Sequence, residues 1–130
     1  MIKPEQACQV SAIAWLRHYN KEAELSTYHF ANERKCTIQQ GRLLKRMGVK
    51  PGVSDLFISI PKHNKHGLWI EIKIDNNYPS KEQKDFLERE FKNGAACAVC
   101  WGLDAIKSII IKYLSTSTND SFFDQIIHQK

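Results

Sequence analysis

The 130-residue sequence contains no apolar run that could cross a membrane. A helix that spans a bilayer needs about 18 or more consecutive apolar residues, and polar residues interrupt every apolar stretch well before that length. Residues 1–6 also lack the apolar run of a secretory signal peptide. We therefore expect a cytoplasmic protein with no membrane partner.

Cysteine is scarce, with four residues, and its placement argues against a metal or redox site. Cys97 and Cys100 have the spacing of a zinc knuckle, but they lie in an apolar run typical of a buried strand. Positions three apart on a strand point to opposite faces and cannot bind one ion. The other two cysteines are isolated. His63 and His66 lie in a polar stretch without a second pair of ligands, so we predict an exposed hairpin loop there.

Glycine and proline are also few, with six and four residues, whereas hydrophobic residues make up 42% of the chain. This composition excludes disorder over most of the length and is typical of one globular domain. Hydrophobic spacing predicts helices over 4–19, 37–47, 80–92 and 104–114, and strands over 26–30, 55–60, 68–74 and 97–101. That order favours an α/β fold with a small mixed β-sheet flanked by helices. We assign residues 1–114 to this domain and residues 115–130 to a C-terminal tail of unknown role.

Acidic residues are few in one part of the chain. The net charge of +5 arises within the first 50 residues, which carry nine basic and four acidic side chains. Between residues 33 and 50 the single acid is Glu33, and the basic residues are Arg34, Lys35, Arg42, Lys45, Arg46 and Lys50. In the helix predicted over 37–47, Leu43, Leu44 and Met47 cover the side opposite the basic residues. Charged faces are usually only solvated, so the position of this helix decides whether it binds anions.

The hairpin predicted from 55 to 74 brings acidic and basic side chains together. Alternation along its second strand places Glu71 and Lys73 on one face, about 6.6 Å apart. In the first strand, Asp55 lies opposite the apolar set. If the apolar faces pair, Asp55 lies across from, or diagonal to, Glu71 and Lys73. Two carboxylates and one ammonium then converge at one end of the sheet.

A salt bridge on a solvated face is the commoner explanation for such a cluster. Helices before and after the hairpin should cover both faces, however, and burying adjacent carboxylates is unfavourable unless a cation lies between them. Clustered carboxylate oxygens suit a hard divalent ion such as Mg²⁺ or Mn²⁺. We therefore predict a metal site at this cluster.

An ordered set of short motifs carries a family resemblance. It comprises Asn32-Glu33, Gly48-Val49-Lys50-Pro51-Gly52-Val53-Ser54-Asp55, Glu71-Ile72-Lys73, Ser80-Lys81-Glu82-Gln83 and Asn93-Gly94. The set resembles the VRR-NUC branch of the PD-(D/E)xK nuclease superfamily, particularly its short stand-alone phage and bacterial members, over roughly residues 5–105. The resemblance implies a restriction-endonuclease-like core and the cytoplasm of a bacterial or phage-infected cell. Many relatives carry proline where this chain has Ser54; that position shapes the turn, so we expect activity to survive.

The resemblance also implies residue roles. Asp55, Glu71 and the main-chain carbonyl of Ile72 would bind Mg²⁺ or Mn²⁺, and Lys73 would position the attacking water and neutralise the phosphate. A divalent ion there would polarise the phosphate and stabilise the charge of the transition state, which is consistent with phosphodiester hydrolysis.

Two further roles have competing explanations. Gln83 fits a capping box with Ser80, yet it also shares a helix face with residues that should point at the sheet, and relatives carry a glutamine near the metal-bound water. We therefore include Gln83 among the catalytic residues. A further acid is expected from the N-terminal region, and we favour Glu33 over Glu5, which could equally stabilise the start of the first helix.

The function implied is that of a metal-dependent DNA endonuclease. Stand-alone members of the branch resemble Holliday-junction resolvases and act as homodimers, so we expect branched DNA as substrate and a dimer as the active form. Dimer surfaces could lie at 109–111 or 122–123, although both segments could belong to the core. The alternatives are a flap, nick or non-specific nuclease, and a non-catalytic DNA-binding module.

Overall fold

The computed structural model describes residues 1–30 and 36–130, which contain a five-stranded sheet. The strands are β1 (Thr27–His29), β2 (Leu56–Ile58), β3 (Leu68–Lys73), β4 (Ala96–Trp101) and β5 (Ile127–Gln129), and they lie side by side in that order. The first three are antiparallel neighbours, whereas β3, β4 and β5 are parallel. The mixed sheet confirms the fold class expected from the sequence.

Helices cover both faces of this sheet. They are α1 (Pro4–Tyr19), α2 (Lys21–Leu25), α3 (Ile38–Arg46), α4 (Lys81–Lys92) and α5 (Leu103–Leu114), followed by a 3₁₀ turn at Asp120–Phe123. Four agree with the predicted helices to within a residue or two, and the five-residue α2 is additional. Within the described part of the chain, no helix has both the length and the apolar character to cross a bilayer.

Side-chain caps fix where α3 and α4 begin. The Thr37 hydroxyl accepts from the N–H of Gln40 at 3.1 Å, and the Gln40 side chain accepts from the N–H of Thr37 at 2.9 Å. Ser80 and Gln83 make the same reciprocal pair at the start of α4. Each box satisfies N–H groups that the first helical turn leaves without intrahelical partners. Both helices flank the hairpin, so these caps also fix the approach to the predicted site.

The alternation along β2 and β3 divides the core into two layers. Leu56, Ile58 and Ile70 face α1 and α5, where Leu16 and Ile106 are also fully buried. On the opposite face, Trp69 packs with Phe86 and Leu87 of α4. The predicted hairpin faces are therefore confirmed, and the residues that should carry chemistry lie on the α4 side.

The two cysteines of β4 lie on opposite faces of the sheet, as predicted. Cys97 belongs to the cluster under α4, whereas Cys100 packs in the core beneath α1 and α5. Burial raises the pKa of both thiols to about 12. A thiol that stays protonated is a poor nucleophile and a poor metal ligand, so both cysteines serve packing.

Residues 115–130, to which the sequence assigned no role, complete the sheet with β5 and contribute a fully buried Phe123. Ile109 and Ile110 are likewise buried, so these residues belong to the core rather than to a dimer surface. Ile111 alone of that triplet is exposed, at 41%.

The prediction of an exposed loop at His63 is wrong. His63 and Asn64 both have positive φ in a two-residue turn between Lys62 and Lys65, the geometry of a type I′ hairpin. The turn directs the His63 ring inward, where its side chain is 3% exposed. The ring nitrogens bond Asp120 Oδ1 and the Tyr113 carbonyl, each at 2.8 Å. These two contacts join the turn to α5 and to the 3₁₀ turn.

Candidate active site

Asp55, Glu71 and Lys73 converge at one end of the β2–β3 hairpin. The register pairs Leu56 with Ile70, so the next position brings Asp55 opposite Glu71. Lys73 Nζ lies 3.8 Å from Glu71 Oε2. The convergence expected from alternation is therefore present on the α4 side of the sheet.

Glu71 is the electrostatic centre of this cluster, with a residue exposure of only 2%. Burial raises its pKa from 4.5 to about 9, the negative charge of Asp55 adds to the increase, and the charge of Lys73 partly opposes it. A salt bridge on a solvated face is thus excluded. Because Glu71 is buried next to Asp55, a negative charge on Glu71 is unfavourable unless a proton or cation accompanies it.

Asp55 is held in place through the backbone of β3. Its Oδ2 accepts from the N–H of Ile72 at 2.7 Å, which extends the β2–β3 pairing beyond the last strand pair. On the other side, the ring Nδ1 of His29 lies 2.7 Å from the Asp55 carbonyl. Because a carbonyl only accepts, this nitrogen is the donor. Asp55 is therefore fixed by both neighbouring strands.

The remaining oxygens fit a divalent cation. Glu71 Oε1 and the hydroxyl of the neighbouring, fully buried Ser54 make no hydrogen bond of good geometry with the described residues. A buried carboxylate oxygen without a partner is unfavourable unless a ligand completes it. Hard carboxylate oxygens are the donors that Mg²⁺ and Mn²⁺ prefer. Within residues 1–30 and 36–130, no three acidic, histidine or cysteine side chains are placed to bind one metal ion, so the candidate site there has two carboxylates.

A cleft of about 1440 Å³ opens beside Asp55. Its walls come from the start of α1, from α3, from the loop before Asp55 and from the start of α4; they include Glu5, Gln6, His29, Phe30, Lys45 and Gln83. Gly52 brings this loop against α4, with φ +78°, and a Cβ there would overlap the main chain of Glu82. Glycine is therefore required for the loop to reach the position from which it presents Asp55.

A solved structure described as "VRR_NUC domain protein" has the same arrangement of elements. The two chains are 32% identical, with a TM-score of 0.74, and the match covers 85% of this chain and 87% of the other. The chain belongs to the VRR-NUC domain family. The fold predicted from the Asp55, Glu71 and Lys73 motifs is thereby confirmed. No protein-family model and no curated protein sequence matches this VRR-NUC chain.

In this VRR-NUC domain Gln83 both caps α4 and lies at the cleft. Its Oε1 accepts from the N–H of Ser80 at 2.9 Å, which is the capping contact. The same residue lines the cleft with Asp55. The capping bond uses only the oxygen of the amide, so its NH₂ group has no hydrogen-bond partner among the described residues.

The amphipathic helix predicted over 37–47 is α3, and part of it lies at the cleft. Lys45 and Lys50 line the cleft, while Arg42 and Arg46 are exposed. α3 has no buried residue, and Leu43 and Met47 on its apolar side are 50% and 71% exposed. Gly41, Leu44 and Lys45 lie three and four positions apart and form the side of α3 that lines the cleft.

The competing N-terminal acids differ in what the structure describes. Glu5 lies in the first turn of α1 and lines the cleft. Glu33, the favoured residue, lies outside the described residues, as do Arg34 and Lys35.

Sequence reasoning missed His29, whose only signal was its position at the end of a β-prone run.

Proposed function

We propose that this VRR-NUC domain is a divalent-metal-dependent DNA endonuclease that hydrolyses phosphodiester bonds. The observation that carries the proposal is the pair formed by Asp55 and Glu71, with a buried Glu71 oxygen that has no partner and Lys73 alongside. The ion pair with Lys73 runs through Oε2 and leaves Oε1 for another ligand. A site that binds a cation and then a phosphate accounts for it.

The metal ligands in this proposal are Asp55, Glu71 and the main-chain carbonyl of Ile72. When bound, Mg²⁺ or Mn²⁺ would polarise the scissile phosphate and lower the pKa of a coordinated water. Lys73 is mostly buried and holds its ammonium beside Glu71, where it would neutralise a phosphate oxygen and orient the water. The free NH₂ group of Gln83 would donate to that water or to the phosphate.

A further acid completes the site in this proposal. We retain Glu33 as the first candidate and Glu5 as the second. The position of Glu5 on the cleft wall supports a contact through water. Single substitutions to glutamine separate the two, because only the residue that contributes to the site will change the metal concentration needed for half-maximal cleavage.

Affinity for DNA would come mainly from the cationic side of the cleft. Lys45 and Lys50 line it, and Arg42 and Arg46 extend the positive charge along α3. Together with Arg34 and Lys35, they would contact phosphates, which position the duplex and carry little sequence information.

We further propose that branched DNA is the substrate and that a homodimer is the active form. Cutting a Holliday junction on two opposed strands needs two active sites, and the described chain contains one Asp55–Glu71 pair. The volume of the cleft, about 1440 Å³, and the lysines on its wall support a large anionic substrate. Flap, nick or unselective cleavage are the alternative outcomes of the same assay.

The test compares labelled four-way junctions, flaps and linear duplexes in Mg²⁺, Mn²⁺ or EDTA. Wild type should cleave only with a metal, and Asp55→Asn and Glu71→Gln should abolish cleavage while retaining the fold. Glu88→Gln, an exposed change on α4, is the matched control and should cleave as wild type does. Metal-independent binding without cleavage of any substrate would establish a DNA-binding module instead.

A further inference from the structure

The sheet face that carries Glu71 also carries aromatic rings that the proposed chemistry does not use. The register places Tyr28 of β1 beside Phe57 of β2, and Phe57 beside Trp69 of β3. Phe30 follows directly after β1, and continuing the same register brings it across from Asp55. Aromatic side chains therefore line the approach to the carboxylates from the β1 edge.

Phe30 is the outer ring of a packed aromatic group. Its centre lies 5.4 Å from that of Trp69, which lies 4.5 Å from Phe57 and meets Phe86 edge-on at 4.8 Å. Trp69 is buried, whereas Phe30 is 43% exposed. The contact with the buried indole fixes the Phe30 ring, while a large part of the residue remains open to solvent.

A second exposed ring lies next to it. Tyr28 is 51% exposed and lies two residues earlier on the same face, about 7 Å away along the strand. Adjacent exposed aromatic rings beside a cleft are typical of a binding surface. Phe30 lines the cleft together with Lys45 and Lys50, so a molecule that stacks on its ring also meets positive charge.

We propose that Phe30 and Tyr28 form a stacking platform for unpaired nucleobases, so that the domain prefers DNA with an unpaired nucleotide beside the phosphate it cuts. This inference rests on the proposed nuclease function. Flat rings next to a cationic groove are the combination that binds single-stranded nucleic acid, because every base offers a face for stacking. A paired base inside a duplex already stacks on both faces and cannot use the platform.

The experiment measures binding in EDTA, so that it does not depend on cleavage. The probes are a duplex with a short single-stranded extension carrying 2-aminopurine and a fully paired duplex of the same length. Phe30→Ala should weaken binding to the first probe by about 5- to 100-fold and to the second by no more than about twofold. Tyr28→Ala should show the same selectivity, and 2-aminopurine fluorescence should be quenched by wild type but not by Phe30→Ala.

Two further variants separate stacking from packing. Phe30→Trp keeps an aromatic face and should retain the preference. Phe30→Leu keeps an apolar side chain against Trp69 without that face and should lose the preference. Tyr19→Ala is the matched control, because Tyr19 is 48% exposed, stacks on Trp15 and is not part of the cleft wall.

Equal losses on both probes, or no loss on either, would overturn the platform. If Phe30→Ala also dissociates a dimer in sedimentation and weakens both probes equally, the face belongs to a second copy of the chain. Failure of the proposed function looks different: wild type would keep its preference for the extended probe but cleave no DNA with any metal.

Discussion

Replacing Glu71 by glutamine should change how the stability of the metal-free protein depends on pH. The pKa of Glu71 is raised to about 9 in the folded protein, mainly by burial and then by the charge of Asp55, and the unfolded chain has the ordinary value of 4.5. Folding therefore favours the protonated acid. The resulting stabilisation is fully present below pH 4.5 and is lost as the pH rises toward 9.

The size of the effect follows from proton linkage. Between these two pKa values the folded state binds up to one more proton than the unfolded state, so the free energy of unfolding falls by up to about 1.4 kcal/mol per pH unit. Between pH 6 and pH 8 wild type should lose about 2–3 kcal/mol through this group. Glu71→Gln has no such proton and should lose correspondingly less.

Urea unfolding in EDTA at pH 6, 7 and 8 measures this directly. The difference in slope between wild type and Glu71→Gln isolates the group, since all other titrating residues are common to the two proteins. Glu88→Gln, an exposed change of the same chemistry, should keep the wild-type slope. Parallel pH dependence in wild type and Glu71→Gln would refute the description of Glu71 as a buried acid that needs a proton or a cation.

Three other results are expected. At pH 8, Mg²⁺ should raise the Tm of wild type but not of Asp55→Asn, because the ion replaces the proton of the buried pair; an equal increase in both proteins would place the ion elsewhere. Neutralising Arg42, Lys45 and Arg46 together should weaken DNA binding and flatten its salt dependence by up to about 3 in log–log slope, measured by titration at several salt concentrations, and an unchanged slope would contradict the phosphate contacts. Gly52→Ala should destabilise the fold by about 1–3 kcal/mol in urea unfolding, since its Cβ would overlap the Glu82 main chain; wild-type stability would show that the loop can move freely.

The hairpin and the convergence of Asp55 with Glu71 could be predicted because β-strand alternation is a local property. Placing Ile70 and Ile72 in the core forces Glu71 to the opposite face, and pairing of the apolar faces then brings Asp55 to it. The starts of α3 and α4 are also local features, since each capping box lies within four consecutive residues.

What could not be predicted depends on contacts distant in sequence. The amphipathic pattern of α3 identifies an apolar side, but only the fold decides whether anything covers it, and Leu43 remains half exposed. The local sequence predicts an exposed loop at His63, because the partners that bury its ring, Tyr113 and Asp120, lie 50 and 57 residues away. The short strand β5 has the same difficulty, because its pairing with β4 is parallel and non-local.

The bond between Asp55 and the Ile72 N–H links the chemistry of the cluster to correct strand pairing. A slip of one residue between β2 and β3 would turn either Asp55 or the Glu71–Lys73 pair toward α1 and separate the two carboxylates. A molecule with shifted strands would therefore lack the cluster of carboxylates altogether. A copy with shifted strands would therefore also lack the proposed cation site.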